Sequence, residues 1–255
     1  MKPKRSVCAA LGTLFFALAP VAHAQLVQEF SPPKSSCCLQ GFAQRLADQL
    51  EDWNQLGRYH ADDLKLEAAP SAPGRVVFMG DSITDGWNLA RFFPGKPYVN
   101  RGIGGQTTPQ MLVRMYPDVV DLKPAAVIIL AGTNDIARNT GPETATMIEE
   151  NFRAMADIAR AHHIKVILCS LTPISDYAAH PQTPHRPPGD ILKLNAWIKG
   201  YANRSGAVFA GYYSAVADRR GMFREGYSND GLHPNARGYA LLAPVAEAAI
   251  EKALQ

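Results

Sequence analysis

The chain has 255 residues, 47% of them hydrophobic and 19% charged, with a formal net charge of +3. That balance suits one sizeable globular core and excludes a low-complexity chain. Lys2, Lys4 and Arg5 carry all of the excess charge, so without its first 24 residues the chain is neutral, and neither nucleic acid nor an anionic membrane surface is indicated as a partner.

Residues 1–24 read as a secretory signal peptide. The basic start is followed by an apolar stretch, Val7 to Val21, that is short for a membrane span. Ala22-His23-Ala24 then fits a small-x-small cleavage site. The expected location is periplasmic or extracellular, with no stable membrane insertion after cleavage. Cys8 follows Arg5-Ser6-Val7 and does not fit a lipid-attachment site.

Residues 25–74 read as a leader followed by an amphipathic helix. The adjacent Cys37-Cys38 would be strained as a disulfide. From Leu39 to Leu66, Phe42, Leu46, Leu50, Trp53, Leu56 and Tyr59 recur at helical spacing, with a break expected at Gly57. Ala68 to Gly74 is a linker rich in Ala and Pro, and 75–255 reads as one domain.

Within that domain the pattern alternates. Val76 to Met79, Tyr98 to Asn100, Ala125 to Ala131, Lys165 to Ser170 and Ala207 to Ala210 read as five short strands. Between them, helices are expected around Met111 to Val119, from Pro142 to His162, from Asp190 to Asn203 and from Asn235 to Leu254. Strands alternating with helices mean βα units and a parallel sheet. The segment from Asp176 to Gly189, with four prolines and two histidines, reads as a loop. His60, His162, His163, His180 and His185 read as surface residues. Cys169 sits in an apolar run and reads as a buried thiol. No Cys/His cluster has zinc spacing, so neither a metal nor any other cofactor is expected.

Four places remain where small and polar residues follow a strand or precede the closing helix: Gly80-Asp81-Ser82, Asn100 to Gly105, Gly132 to Asp135, and Asp230 to Pro234. In a doubly wound sheet the loops after parallel strands converge on one edge. A serine hydroxyl there needs a base, which His233 could be, and the base needs an acceptor on its other ring nitrogen, which Asp230 could be. An oxyanion formed on a carbonyl needs fixed donors. The Ser82 backbone N–H, a glycine N–H of the Gly-rich loop and the Asn134 amide are available. Taken singly, Ser82 reads as a helix cap and Asn134 and Asp230-Gly231 as turn formers. Taken together they read as one catalytic constellation. Asp81 and Asp135 read as supports of their loops, and Asp85, Trp87 and Arg138 as residues at the mouth.

Gly80-Asp81-Ser82-Ile83-Thr84, Asn100-x-Gly102-x-Gly104-Gly105, Gly132-Thr133-Asn134-Asp135 and Asp230-Gly231-Leu232-His233-Pro234 resemble, in order, the four blocks of the GDSL/SGNH hydrolases. The resemblance implies an α/β/α three-layer sandwich with a flavodoxin-like five-stranded parallel sheet. It implies Ser82 as nucleophile, His233 as base and Asp230 as its orienter. It also implies an oxyanion hole of Ser82 N–H, Gly105 N–H and Asn134. The choice of Gly105 follows the platelet-activating-factor-acetylhydrolase-like branch. Ser82 does not stand in a G-x-S-x-G elbow, which disfavours the α/β-hydrolase fold. The expected function is a secreted serine esterase on a small-molecule or glycan ester, with a short acyl group such as acetyl. Two alternatives stay open: a lysophospholipase or thioesterase on longer chains, with Phe92-Phe93 and the 176–189 loop lining an acyl groove, and a catalytically inactive sugar- or lipid-binding module.

Overall fold

The computed structural model describes residues 50–69 and 72–255. The expected signal peptide, Cys37-Cys38 and the first part of the amphipathic helix lie outside the described residues.

Five short segments form strands: β1 (Val76–Gly80), β2 (Tyr98–Gly102), β3 (Ala126–Leu130), β4 (Lys165–Cys169) and β5 (Val208–Ala210). They form one sheet in the order β2-β1-β3-β4-β5, with every neighbouring pair parallel. The register puts Gly80 beside both Gly102 and Leu130, so three strands end level at one edge. The order reverses between β1 and β3, the place where doubly wound sheets open their crevice.

β1 and β3 are buried at every position, because both faces of the sheet are covered. Alternate residues feed opposite layers. Val77, Met79, Val127, Ile129 and Leu168 face one core with Met111, Phe152, Met155 and Ile198. Val76, Phe78, Ile128 and Ile167 face the other with Trp87, Phe93, Tyr212, Leu242 and Ile250. Each fully buried aliphatic or aromatic side chain contributes roughly 1.5–3 kcal/mol relative to exposure. This is the expected three-layer α/β/α sandwich with a flavodoxin-like sheet.

The described helices are α1 (Gly57–Ala68), α2 (Ser82–Asp85), α3 (Leu89–Phe92), α4 (Thr108–Val113), α5 (Thr133–Ile136), α6 (Ala145–Ala161), α7 (Pro188–Ser205), α8 (Tyr212–Val216) and α9 (Ala236–Leu254). Capping chemistry sets several boundaries. Thr144 accepts from the Met147 N–H (3.2 Å), so α6 starts there rather than at Pro142. Pro188 occupies the first turn of α7, and Gly206, at φ 74°, ends it. Asn235 caps α9 by accepting from the Arg237 and Gly238 N–H groups.

Two expectations change. The segment 111–119 is not one helix: α4 ends at Val113 and a separate π-helical turn spans Tyr116–Val120. Pro117 lies in that turn, and its missing N–H interrupts the ladder. The chain does break at Gly57, where Asp52 accepts from the Leu56 and Gly57 N–H groups. The apolar stripe expected for this segment is largely exposed, however: Leu50 at 80%, Trp53 at 45% and Leu56 at 40%. The residue that α1 buries is Asp63. Its carboxylate is bridged by Arg101 of β2 (Nη2–Oδ1 2.6 Å, Nε–Oδ1 2.8 Å). Tyr59 of α1 donates to the Gly102 carbonyl and carries the Arg101 guanidinium over its ring. Polar docking against β2 therefore replaces the expected hydrophobic docking.

Candidate active site

The sharp turn after β1 places Ser82. Asp81 caps α2 by accepting from the Ile83 N–H (2.9 Å), so Ser82 opens the helix. Gly80 and Gly102 let the chain close at this point: a Cβ on Gly102 would overlap the Asp85 backbone nitrogen.

The last connection before α9 reaches the same edge. His233 Nε2 lies 2.8 Å from Ser82 Oγ, across 151 residues of sequence. His233 Nδ1 lies 2.6 Å from Asp230 Oδ2. Asp230 Oδ1 accepts from the His233 N–H (2.8 Å), the Leu232 N–H (2.9 Å) and Ser228 Oγ (3.1 Å). Desolvation pushes the Asp230 carboxyl up, but the hydrogen bonds from the His233 ring and from two backbone N–H groups outweigh it, holding the group down at about 2. Asp230 is therefore an anion throughout the neutral range. It fixes the imidazole with its proton on Nδ1 and leaves Nε2 free to accept from Ser82. The ring stays open to solvent, with 41% of the His233 side chain exposed.

The expected oxyanion residues stand on the adjoining loops. Gly105 follows β2 at φ 81°, a left-handed conformation suited to glycine. Its carbonyl accepts from Asn139 (2.9 Å). The neighbouring Gly104 donates its N–H to Asp85 Oδ2 (3.2 Å), and that contact ties the loop to α2. Asn134 lies in α5, directly after β3, and is buried. Its Nδ2 donates to the Gln106 carbonyl (3.0 Å).

A layer of charge braces these loops. Arg114 is fully buried and reaches four groups: Asp118 (2.6 Å), Gln106 Oε1 (2.6 Å), the Arg101 carbonyl (2.7 Å) and the Gly80 carbonyl (3.1 Å). It thereby joins the end of β1 to the end of β2. Asp135, next to Asn134, accepts from the Thr108 N–H (2.9 Å) and hydroxyl (2.5 Å), the loop-supporting part expected of it. Its buried carboxyl also faces Glu143. Burial pushes both groups up, and the Asp135 charge adds to the effect on Glu143, which reaches about 8. Asp81 is raised to about 6, chiefly by burial.

Other expectations divide. Asp85 stands at the site and pairs with Arg58. Trp87 does not reach the mouth: it is buried and stacks on Tyr239 against the far face of the sheet. Phe93 lies in the same aromatic cluster, and Phe92 packs beside Tyr239. Both phenylalanines line a cavity whose other walls are Pro94, Lys96, Ala243, Pro244 and Glu247, none of them a candidate catalytic residue. Arg138 is exposed in a left-handed turn after α5. Cys169 is buried, as expected. Among the described residues no group of three or more His, Cys, Asp or Glu could hold a metal ion, and no helix is long and apolar enough to cross a membrane.

Three residues at the site were not singled out from the sequence. Ser228 steadies Asp230, Glu143 faces Asp135, and Arg186 leans from the 176–189 loop onto Asn134. Arg186 Nη2 donates to Asn134 Oδ1 (3.2 Å) and Nη1 to Gln182 (3.1 Å). The available signal was position: this loop follows β4 and so opens on the same edge of the sheet.

The model of the GDSL-like lipase/acylhydrolase family matches residues 78–241, which include Ser82, Gly105, Asn134, Asp230 and His233. The chain belongs to this family. A member of a lipase/acylhydrolase family is a hydrolase acting on ester bonds. A solved candidate acylhydrolase from Bacteroides fragilis is 39% identical, with a TM-score of 0.74 over 80% of this chain and 99% of that one. Esterase TesA of Pseudomonas aeruginosa is 28% identical over 192 residues, 67% of this chain and 85% of its own length. The uncharacterized lipoprotein YqeF of Bacillus subtilis is 34% identical over 118 residues, 39% of this chain, which spans about half (49%) of that relative's length.

Proposed function

We propose that this GDSL protein is a serine esterase that works through an acyl-enzyme on Ser82, outside the cytoplasm, on short acyl groups such as acetyl on a carbohydrate. The observation that carries the mechanism is the unbroken chain from Ser82 Oγ through the His233 ring to Asp230, at 2.8 and 2.6 Å. Ser82 Oγ attacks the ester carbonyl carbon while its proton passes to His233 Nε2. Asp230 holds the imidazolium that results. The tetrahedral oxyanion takes hydrogen bonds from the Ser82 and Gly105 N–H groups and from the Asn134 amide. As the bond to the alkoxy oxygen breaks, His233 returns the proton to the leaving alcohol. Water, deprotonated by the same ring, then attacks the acyl-enzyme, and the acid leaves with Ser82 regenerated.

Small and polar surroundings support a short acyl group. Gly104 and Asp85 lie beside the Ser82 Cβ, and Arg186 hydrogen-bonds Asn134 on the neighbouring loop. Export rests on the reading of residues 1–24. A series of p-nitrophenyl esters from acetate to palmitate, beside acetylated xylan and lysophosphatidylcholine, tests the substrate reading. Highest kcat/KM on the shortest esters supports it. Highest kcat/KM on long chains moves the assignment to a lysophospholipase or thioesterase.

A further inference from the structure

We propose that Arg186 is a positioning residue for the reaction, one that fixes which way the Asn134 amide faces and strengthens it as a donor. This rests on the reading of Asn134 as an oxyanion donor. The two ends of an asparagine amide have nearly the same size, so packing does not decide its orientation. Its partners do. The Gln106 carbonyl only accepts and meets Nδ2 at 3.0 Å; the Arg186 guanidinium only donates and meets Oδ1 at 3.2 Å. A flipped amide would set oxygen against oxygen at Gln106 and N–H against a cation at Arg186. With Asn134 just 3% exposed, water could not relieve either clash. In the observed orientation one Nδ2 hydrogen goes to Gln106 and the second remains for the substrate oxygen.

Charge adds to orientation. A cation on the amide oxygen draws electron density from the nitrogen and makes the remaining N–H a better donor. Arg186 also feels the charges of Asp81 and Asp230, the carboxylates on either side of Ser82 and His233. The 176–189 loop is braced to present this side chain. Asp176 accepts from the Gln182 N–H (2.6 Å), the Thr183 N–H (2.9 Å) and the Thr183 hydroxyl (2.5 Å), and Gln182 in turn accepts from Arg186. The loop expected to line an acyl groove thus delivers a guanidinium to the oxyanion residues.

A double-mutant cycle on p-nitrophenyl acetate hydrolysis tests this. Arg186→Met keeps an unbranched apolar stem and removes the charge; Arg186→Lys keeps a charge without the planar fork. Arg186→Met should lower kcat by about tenfold to a hundredfold, with KM within about a factor of two. Arg186→Lys should fall between it and the parent. Each substitution should change kcat by less than about threefold once Asn134→Ala is present, because its effect passes through the amide. Equal losses in both backgrounds would overturn the inference, as would unchanged kcat in the parent background. Should Arg186→Met not fold, the Arg186→Lys arm applies the same criterion. Near-parental turnover in Asn134→Ala alone would instead overturn the assignment of Asn134, whatever Arg186→Met does.

Discussion

The Asp135–Glu143 pair makes stability depend on pH. Both carboxyls are buried, and Asp135 Oδ2 and Glu143 Oε2 have no other partner. Two buried carboxylates cannot face each other fully charged, so the pair keeps a proton. Glu143 in the folded state is raised to about 8 from an ordinary 4.5. The native state therefore holds a proton that the unfolded chain has released. Stability from this group is full below about pH 4.5 and is lost as pH rises through the window up to about 8. The slope reaches at most about 1.4 kcal/mol per pH unit, and the whole window is worth up to about 5 kcal/mol. Glu143→Gln supplies a permanent N–H to Asp135 and removes the Glu143 titration, leaving that of Asp135. Urea unfolding of parent and variant at pH 5, 7 and 9 measures the difference directly. The variant should gain on the parent steadily as pH rises, by a few kcal/mol in all. Asp63, also raised to about 6, does not feel this pair and cancels between the two proteins. Parallel stability profiles for the two proteins would refute the shared proton.

Two further substitutions probe how the site is held. Asp63→Ala strands the buried Arg101 guanidinium and should cost about 3–5 kcal/mol, while Asp63→Ala with Arg101→Met should recover much of that loss in chemical unfolding; a loss under about 1 kcal/mol in the single variant would show that the pair does not hold α1 in place. Gly231→Ala puts a Cβ at φ 80° into the Ser175 carbonyl. Backbone strain alone should cost at least about 1–2 kcal/mol. The shift should also carry His233 from Ser82, so Tm and kcat should fall together, and an unchanged kcat would show that this turn does not set the ring.

Much of the fold was legible because every strand but β2 is a short apolar run closed by small or polar residues. Val76 to Met79 and Ala126 to Ala131 are buried, and such unbroken apolar runs suit a parallel strand covered on both faces. The site blocks were legible for a related reason: Ser82, Asn134 and the turn carrying Asp230 and His233 each sit directly beside a structural break. Local pattern does not reveal contacts made across the molecule. Trp53 and Leu56 look like a buried stripe, yet Asp63 is buried instead, because Arg101 on β2 waits for it. Arg186 stands among prolines that signal only a loop, and its meaning depends on Asn134, 52 residues earlier. Trp87 and Phe93 follow Ser82 closely in sequence, but aromatic packing turns them into the opposite core.

The central claim is that Ser82 is a nucleophile made reactive by His233 and Asp230. Intact-mass analysis after treatment with a fluorophosphonate tests it most directly. One adduct per chain is expected, mapped to Ser82 by peptide sequencing, and none in Ser82→Ala. A parent protein that stays unmodified, as a binding module would, or an adduct that persists in Ser82→Ala, would contradict it.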